Sequence, residues 1–104
     1  MKNAEAVLAV KFKSKLDPEE LLRVCQENLQ SFRDVPGLTE KYYLAEELTG
    51  AISGFYIFNT LSAREAFWTS PLAKDIVPRY GVDVDSLRVE RYQMAIVLNG
   101  VEVV

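Results

Sequence analysis

Gly54-Phe55-Tyr56-Ile57-Phe58 has no polar side. A strand alternates its side chains between two faces, so an unbroken apolar run means that both faces avoid water. The stretch from Leu38 to Ala45 reads the same way, with Leu38, Tyr42 and Leu44 on one side and Tyr43 and Ala45 on the other. The rest of the chain offers only two helical segments, and two helices cover one face of a four-stranded sheet. A second copy of the chain is the expected cover for the other face. Four strands of about six residues present roughly 400 Å² in plan. Burying that area contributes about 10 kcal/mol per chain before the costs of association. This is comparable to the stability of a whole domain, so a homodimer is expected.

Before these strands, Glu5 to Lys13 alternates Val7, Ala9 and Lys11 against Leu8, Val10 and Phe12, a strand pattern. Asp17-Pro18-Glu19-Glu20 then opens a helix, with Asp17 placed to cap and Pro18 suited to the first turn. Leu22, Cys25, Leu29 and Phe32 follow at steps of three and four and predict its buried stripe, until Val35-Pro36-Gly37 ends it. Glu47 to Ala51 predicts a hairpin turn, and the Glu46-Glu47 pair beside it reads as solvated. Ser62-Ala63-Arg64-Glu65 has capping-box spacing and predicts a short helix through Trp68. Ser70-Pro71 predicts a further helical piece to about Val77. The last strand is predicted from about Ser86 to Leu98, with Val101 to Val104 as a small addition after Asn99-Gly100. The order β-α-β-β-α-β, with right-handed crossovers, predicts an α+β, ferredoxin-like antiparallel sheet with both helices on one face.

At 104 residues the chain reads as one domain over 1–104. Its composition, 49% hydrophobic and 26% charged, is that of an ordinary globular protein. A net charge of −3 gives no electrostatic footprint for nucleic acid, and Lys11, Lys13 and Lys15 read as a solvated edge. No apolar run approaches the length of a membrane span, and Met1-Lys2-Asn3 does not lead into a signal-peptide core. With a single cysteine, Cys25, no internal disulfide forms, which suits a reducing, cytoplasmic setting. The absence of histidine removes the commonest general base and metal ligand. No glycine-rich phosphate loop, CxxC or HExxH motif occurs, and neither a metal nor a cofactor is expected.

The run Val35-Pro36-Gly37-Leu38-Thr39-Glu40-Lys41-Tyr42-Tyr43-Leu44, followed by Gly50, by Gly54 to Phe58, by Ser62 to Phe67 and by Ser70-Pro71-Leu72, resembles the dimeric α/β-barrel superfamily. More narrowly it resembles the YdhR-type mono-oxygenase family, small bacterial proteins related to antibiotic-biosynthesis monooxygenases. The resemblance implies a homodimeric α/β barrel and a ligand cleft between the helices and the sheet of each chain. It further implies a cofactor-independent monooxygenase acting on a small aromatic or quinone-like molecule. The rival reading is a non-catalytic, small-ligand-binding or stress-associated homodimer, because one fold hosts many functions.

The candidate site residues each carry two readings. Trp68 packs on the sheet as a core tryptophan, or lines a pocket for a flat aromatic substrate. Tyr43 and Tyr56, with Tyr42, are cross-strand packing, or hold or deprotonate a phenolic substrate, which requires a lowered pKa. Lys41 and Arg91 lie within largely apolar strands. They pair with Glu40, Glu90 or the partner chain, or they stabilise an anionic substrate. Asn59 turns the chain into the second helix, or orients oxygen or a carbonyl as asparagines do in related enzymes. Cys25 is read as structural, and Tyr80 and Tyr92 have weaker claims.

Overall fold

A computed structural model describes residues 4–95. The strands are β1 (Ala6–Phe12), β2 (Leu38–Ala45), β3 (Ile52–Phe58) and β4 (Arg88–Gln93). Between β1 and β2 lie α1 (Pro18–Glu27) and α2 (Leu29–Arg33); between β3 and β4 lie α3 (Leu61–Trp68), α4 (Pro71–Lys74), α5 (Ile76–Arg79) and a 3₁₀ turn at Val84–Ser86. The sheet order is β2-β3-β1-β4, with every pair antiparallel. This is the ferredoxin-like arrangement the sequence predicts. The addition expected at Val101 to Val104, and the last strand beyond Ala95, lie outside the described residues.

Local chemistry sets the element boundaries. The Asp17 carboxylate accepts from the Glu20 N–H at 2.9 Å and Pro18 takes the first turn of α1. The Ser70 hydroxyl accepts from the Ala73 N–H at the start of α4. The cap of α3 is Thr60, two residues before the expected Ser62; its hydroxyl accepts from the Ala63 N–H at 3.0 Å. Glu46 is exposed but engaged. It accepts from the Leu48 and Thr49 N–H groups and the Thr49 hydroxyl at 2.7–3.0 Å, closing the hairpin, and these bonds pull its carboxyl down to about 2.

All helices pack on one face of the sheet. Leu8, Val10 and Phe12 of β1 and Tyr56 and Phe58 of β3 meet Cys25, Phe32, Phe67, Ile76 and Tyr80 from the helical arms. The expected helix stripe is displaced by one residue. Leu22 and Leu29 are exposed, at 59% and 39%, whereas Leu21, Cys25, Asn28 and Phe32 turn inward. A polar residue holds an inward position because the Asn28 side-chain amide donates to the Tyr80 hydroxyl at 3.1 Å.

Among the described residues no element covers the opposite sheet face. Val7 and Ala9 of β1, Tyr42 and Leu44 of β2, Phe55 and Ile57 of β3 and Tyr92 of β4 point there, with Lys11, Glu40, Arg88 and Glu90 among them. Tyr42, Leu44 and Tyr92 are each about half exposed. Leu38 does not share that face with Tyr42 and Leu44. The register of β2 against β3 shifts between Leu38 and Glu40, so Leu38 pairs with Phe58 on the helix side. One extra residue in a strand reverses the facing of everything beyond it.

Gly37 sits at the turn into β2 with φ +80°. A Cβ there would lie 2.5 Å from the Ala63 Cβ and 2.8 Å from the Asn59 Oδ1. Gly37→Ala is therefore expected to cost about 2–4 kcal/mol, from left-handed strain plus overpacking. The measurement is urea unfolding, with a lower midpoint at an unchanged slope. An unchanged midpoint would show that the turn rearranges freely.

Candidate functional site

The helix-side residues of β2 are Leu38, Lys41, Tyr43 and Ala45, paired in turn with Phe58, Tyr56, Gly54 and Ile52 of β3. β2 is an edge strand, and α1–α2 lies over it, so its long side chains reach beneath the helical arm. The Lys41 Nζ sits 3.2 Å from the centre of the Tyr43 ring, 4.5 Å from Phe32 and 4.6 Å from Tyr56. It has no hydrogen-bond partner, the only buried side-chain nitrogen or oxygen among the described residues of which this is true. The expected ion pair to Glu40 or Glu90 is absent from the Lys41 head group. Three π faces compensate part of the cost of the buried charge. Burial pulls the ammonium down to about 7, opposed in part by the nearby Cys25 thiol.

Beside this cage runs a hydroxyl chain. The Tyr43 and Tyr80 hydroxyls lie 2.8 Å apart, and Asn28 donates to Tyr80. Burial pushes all three phenols, Tyr43, Tyr56 and Tyr80, above the ordinary tyrosine value, and raises Cys25 as well. A phenol that holds its proton more tightly is a donor and a wall, not a base. Lys41 is the one group of the cluster whose proton is loosely held near neutral pH.

Three cavities adjoin the helical layer. One of about 360 Å³ is lined by Phe32, Arg33, Leu38, Glu40, Lys41 and Tyr43 among others. A second, of about 540 Å³, is lined by Leu16, Leu21, Leu22, Cys25, Tyr43 and Ile52 among others. Tyr43 stands between these two. The third, of about 640 Å³, lies at the other end of β2 and β3, where Asn59 and Gly37 meet Ala63, Phe67 and Leu72.

The five expected site residues thus fall in three places. Tyr43 and Tyr56 belong to the lysine cage, and Asn59 borders the third cavity. Trp68 and Arg91 form their own pair, with the Arg91 guanidinium 5.8 Å from the indole and 3.7 Å from Glu65, and border none of the three cavities. Tyr80, which had the weaker claim, joins the cluster with Phe32 of the helix stripe and with Asn28, which the sequence did not single out. Phe32 belongs to the expected stripe and Asn28 lies one residue from its Leu29, which is the signal the sequence does hold. Among the described residues no group of three or more Cys, Asp or Glu side chains could hold a metal, and no helix is long and apolar enough to cross a membrane.

No family model matches the sequence, and no curated relative does. Solved structures do match in shape. A monooxygenase of the gene ActVA-Orf6 of Streptomyces coelicolor, in complex with nanaomycin D, superposes with a TM-score of 0.69 at 14% identity, covering 91% of each chain. SnoaB of Streptomyces nogalater, a cofactor-independent oxygenase, gives 0.65 at 14% identity over 90% of this chain and 94% of its own. A protein of unknown function from Nitrosomonas europaea gives 0.72 at 15% over 91% and 93%. At such identities the likeness is one of fold: this chain shares the ferredoxin-like fold of these solved structures, monooxygenases among them.

Proposed function

We propose that the chain is a cofactor-independent monooxygenase that works as a homodimer on a small aromatic or quinol-like molecule bound beside Lys41. One observation carries this reading: a lysine amine with no partner, sealed among three aromatic rings and titrating near neutrality. Oxygenation without a cofactor needs the substrate to supply the electrons, which it does as its own anion. A base must form that anion, and a cation must then hold it away from water. A lysine at about 7 meets both needs, because the neutral amine accepts the proton and the resulting ammonium faces the anion. For a ring CH₂ activated as in an anthrone, the carbanion reduces oxygen, the carbon becomes C=O, and the second oxygen atom leaves as water. Electrons and atoms then balance with no further reductant.

In this reading Tyr43 and Tyr56 are the walls that desolvate the amine. Asn59 offers an amide to the neighbouring cavity, and Trp68 and Arg91 are given no contact with substrate. The bare sheet face, with Tyr42, Leu44, Phe55 and Ile57, is the surface that meets the second copy. The test is oxygen consumption by the pure protein across a panel of phenols, anthrones and quinols. The expected result is saturable uptake with at least one class. Saturable binding with no uptake across the panel assigns the non-catalytic ligand-binding dimer instead.

A further inference from the structure

We propose that Lys41 is a covalent capture site for small aromatic aldehydes and ketones, held as an imine on its amine. A polar group left without a partner in a folded core has a cost, and its retention calls for a use. The Lys41 Nζ is such a group, so in its neutral form the nitrogen lone pair is not engaged in any bond. Two of the three rings around it, Phe32 and Tyr43, also line the 360 Å³ cavity, as does the Lys41 side chain. The Lys41 stem is therefore part of the cavity wall, and its enclosed Nζ lies behind the Phe32 and Tyr43 rings, which must turn aside for a carbonyl to reach it. A pocket of about 150 Å³ already admits a benzene ring, so this one has room for a ring and its carbonyl. The titratable groups facing the amine are Cys25 from α1, Tyr43 from β2 and Tyr56 from β3, and the adjoining cavity is also lined by Glu40 and Arg33. Burial favours the protonated, uncharged forms of Cys25, Tyr43 and Tyr56, and no carboxylate bonds the Lys41 Nζ to hold it in its cationic, unreactive form.

The step balances without redox chemistry. The amine nitrogen bonds to the carbonyl carbon, giving a carbinolamine. The C–O bond then breaks, and the oxygen leaves as water with the two hydrogens of the amine. The inference goes beyond the oxygenase reading and needs neither oxygen nor turnover, so each can fail without the other.

The experiment treats the intact protein anaerobically at pH 7 with benzaldehyde and sodium cyanoborohydride, which reduces the imine to a stable benzyl amine. Peptide mapping then assigns the label among Lys41, the other lysines and the N-terminal amine. An exposed lysine is neutral in fewer than about one molecule in a thousand at this pH. Labelling of Lys41 is therefore expected on the order of a hundredfold faster than of Lys11, Lys13, Lys15 or Lys74, with a rate that saturates in benzaldehyde. An unlabelled Lys41 beside a labelled N-terminal amine overturns the proposal. So does a rate that stays linear in benzaldehyde, which reports a reactive amine without a site. Labelling by formaldehyde but not by benzaldehyde overturns the assignment to aromatic carbonyls.

Discussion

Lys41→Met is expected to stabilise the protein by about 3 kcal/mol at pH 6.5, with the gain vanishing as the pH approaches 10. The unfolded chain holds the lysine proton with an ordinary value of 10.5, and the folded chain releases it at about 7. Below 7 both states are protonated and the full cost of burying the ammonium is present. Between 7 and 10.5 the unfolded state binds more protons, so stability rises with pH. Above 10.5 neither state carries the charge and the cost is gone. The gap amounts to at most about 5 kcal/mol, and the three ring faces return about 1–2 of this. Methionine has a similar length and no charge to bury, so the variant should lack this slope. Urea unfolding of both proteins at several pH values between 6.5 and 9.5 gives the difference directly, with all other titrations cancelling. Parallel stability curves would mean that the amine reaches water in the folded state. The cage, and the base assigned to it, would then be lost together.

Ile57→Glu should convert the protein from two chains to one in dilute solution. Ile57 lies near the middle of the bare face, between Val7 of β1 and Glu40 of β2. In the isolated chain it is only partly covered, so a carboxylate there can reach water and the fold is expected to survive. In a pair of facing sheets the same carboxylate is buried twice, once from each copy, against apolar side chains. At about 2–3 kcal/mol for each buried charge, weakening by 10³–10⁴ in the dissociation constant is expected. Sedimentation separates the outcomes: the unsubstituted protein at twice 11.8 kDa and the variant at 11.8 kDa. Unsubstituted protein at the mass of one copy, or a variant that remains paired, removes the second copy as the cover of that face.

Much of this architecture is legible in the residues because its causes are local. Asp17-Pro18 and Ser70-Pro71 start helices wherever they occur, and an unbroken run such as Gly54 to Phe58 cannot have a wet side. Of the lysine cage, Tyr43, Tyr56 and a lysine inside an apolar strand are legible as residues, though not their meeting. The helix stripe is less legible. Leu21-Cys25-Asn28-Phe32 and Leu22-Cys25-Leu29-Phe32 fit the helical period equally well, and hydrophobicity favours the wrong one. What decides is Tyr80, 52 residues away from Asn28, whose hydroxyl makes the buried amide tolerable.

The sequence by itself determined the element order, the antiparallel sheet and the excess of apolar strand surface, since these follow from periodicities of two and of about 3.6 and from caps within a few residues. Only the tertiary structure decided which side chains meet the Lys41 amine. A single extra residue near Thr39 turns Leu38 away from the side it shares by count with Tyr42 and Leu44 and places it with Lys41 and Tyr43 under the helices. The cage then closes with Phe32 from α2 and Tyr56 from β3. No periodicity within one strand encodes rings brought in from other elements, and those rings are what strip the water from the Lys41 amine.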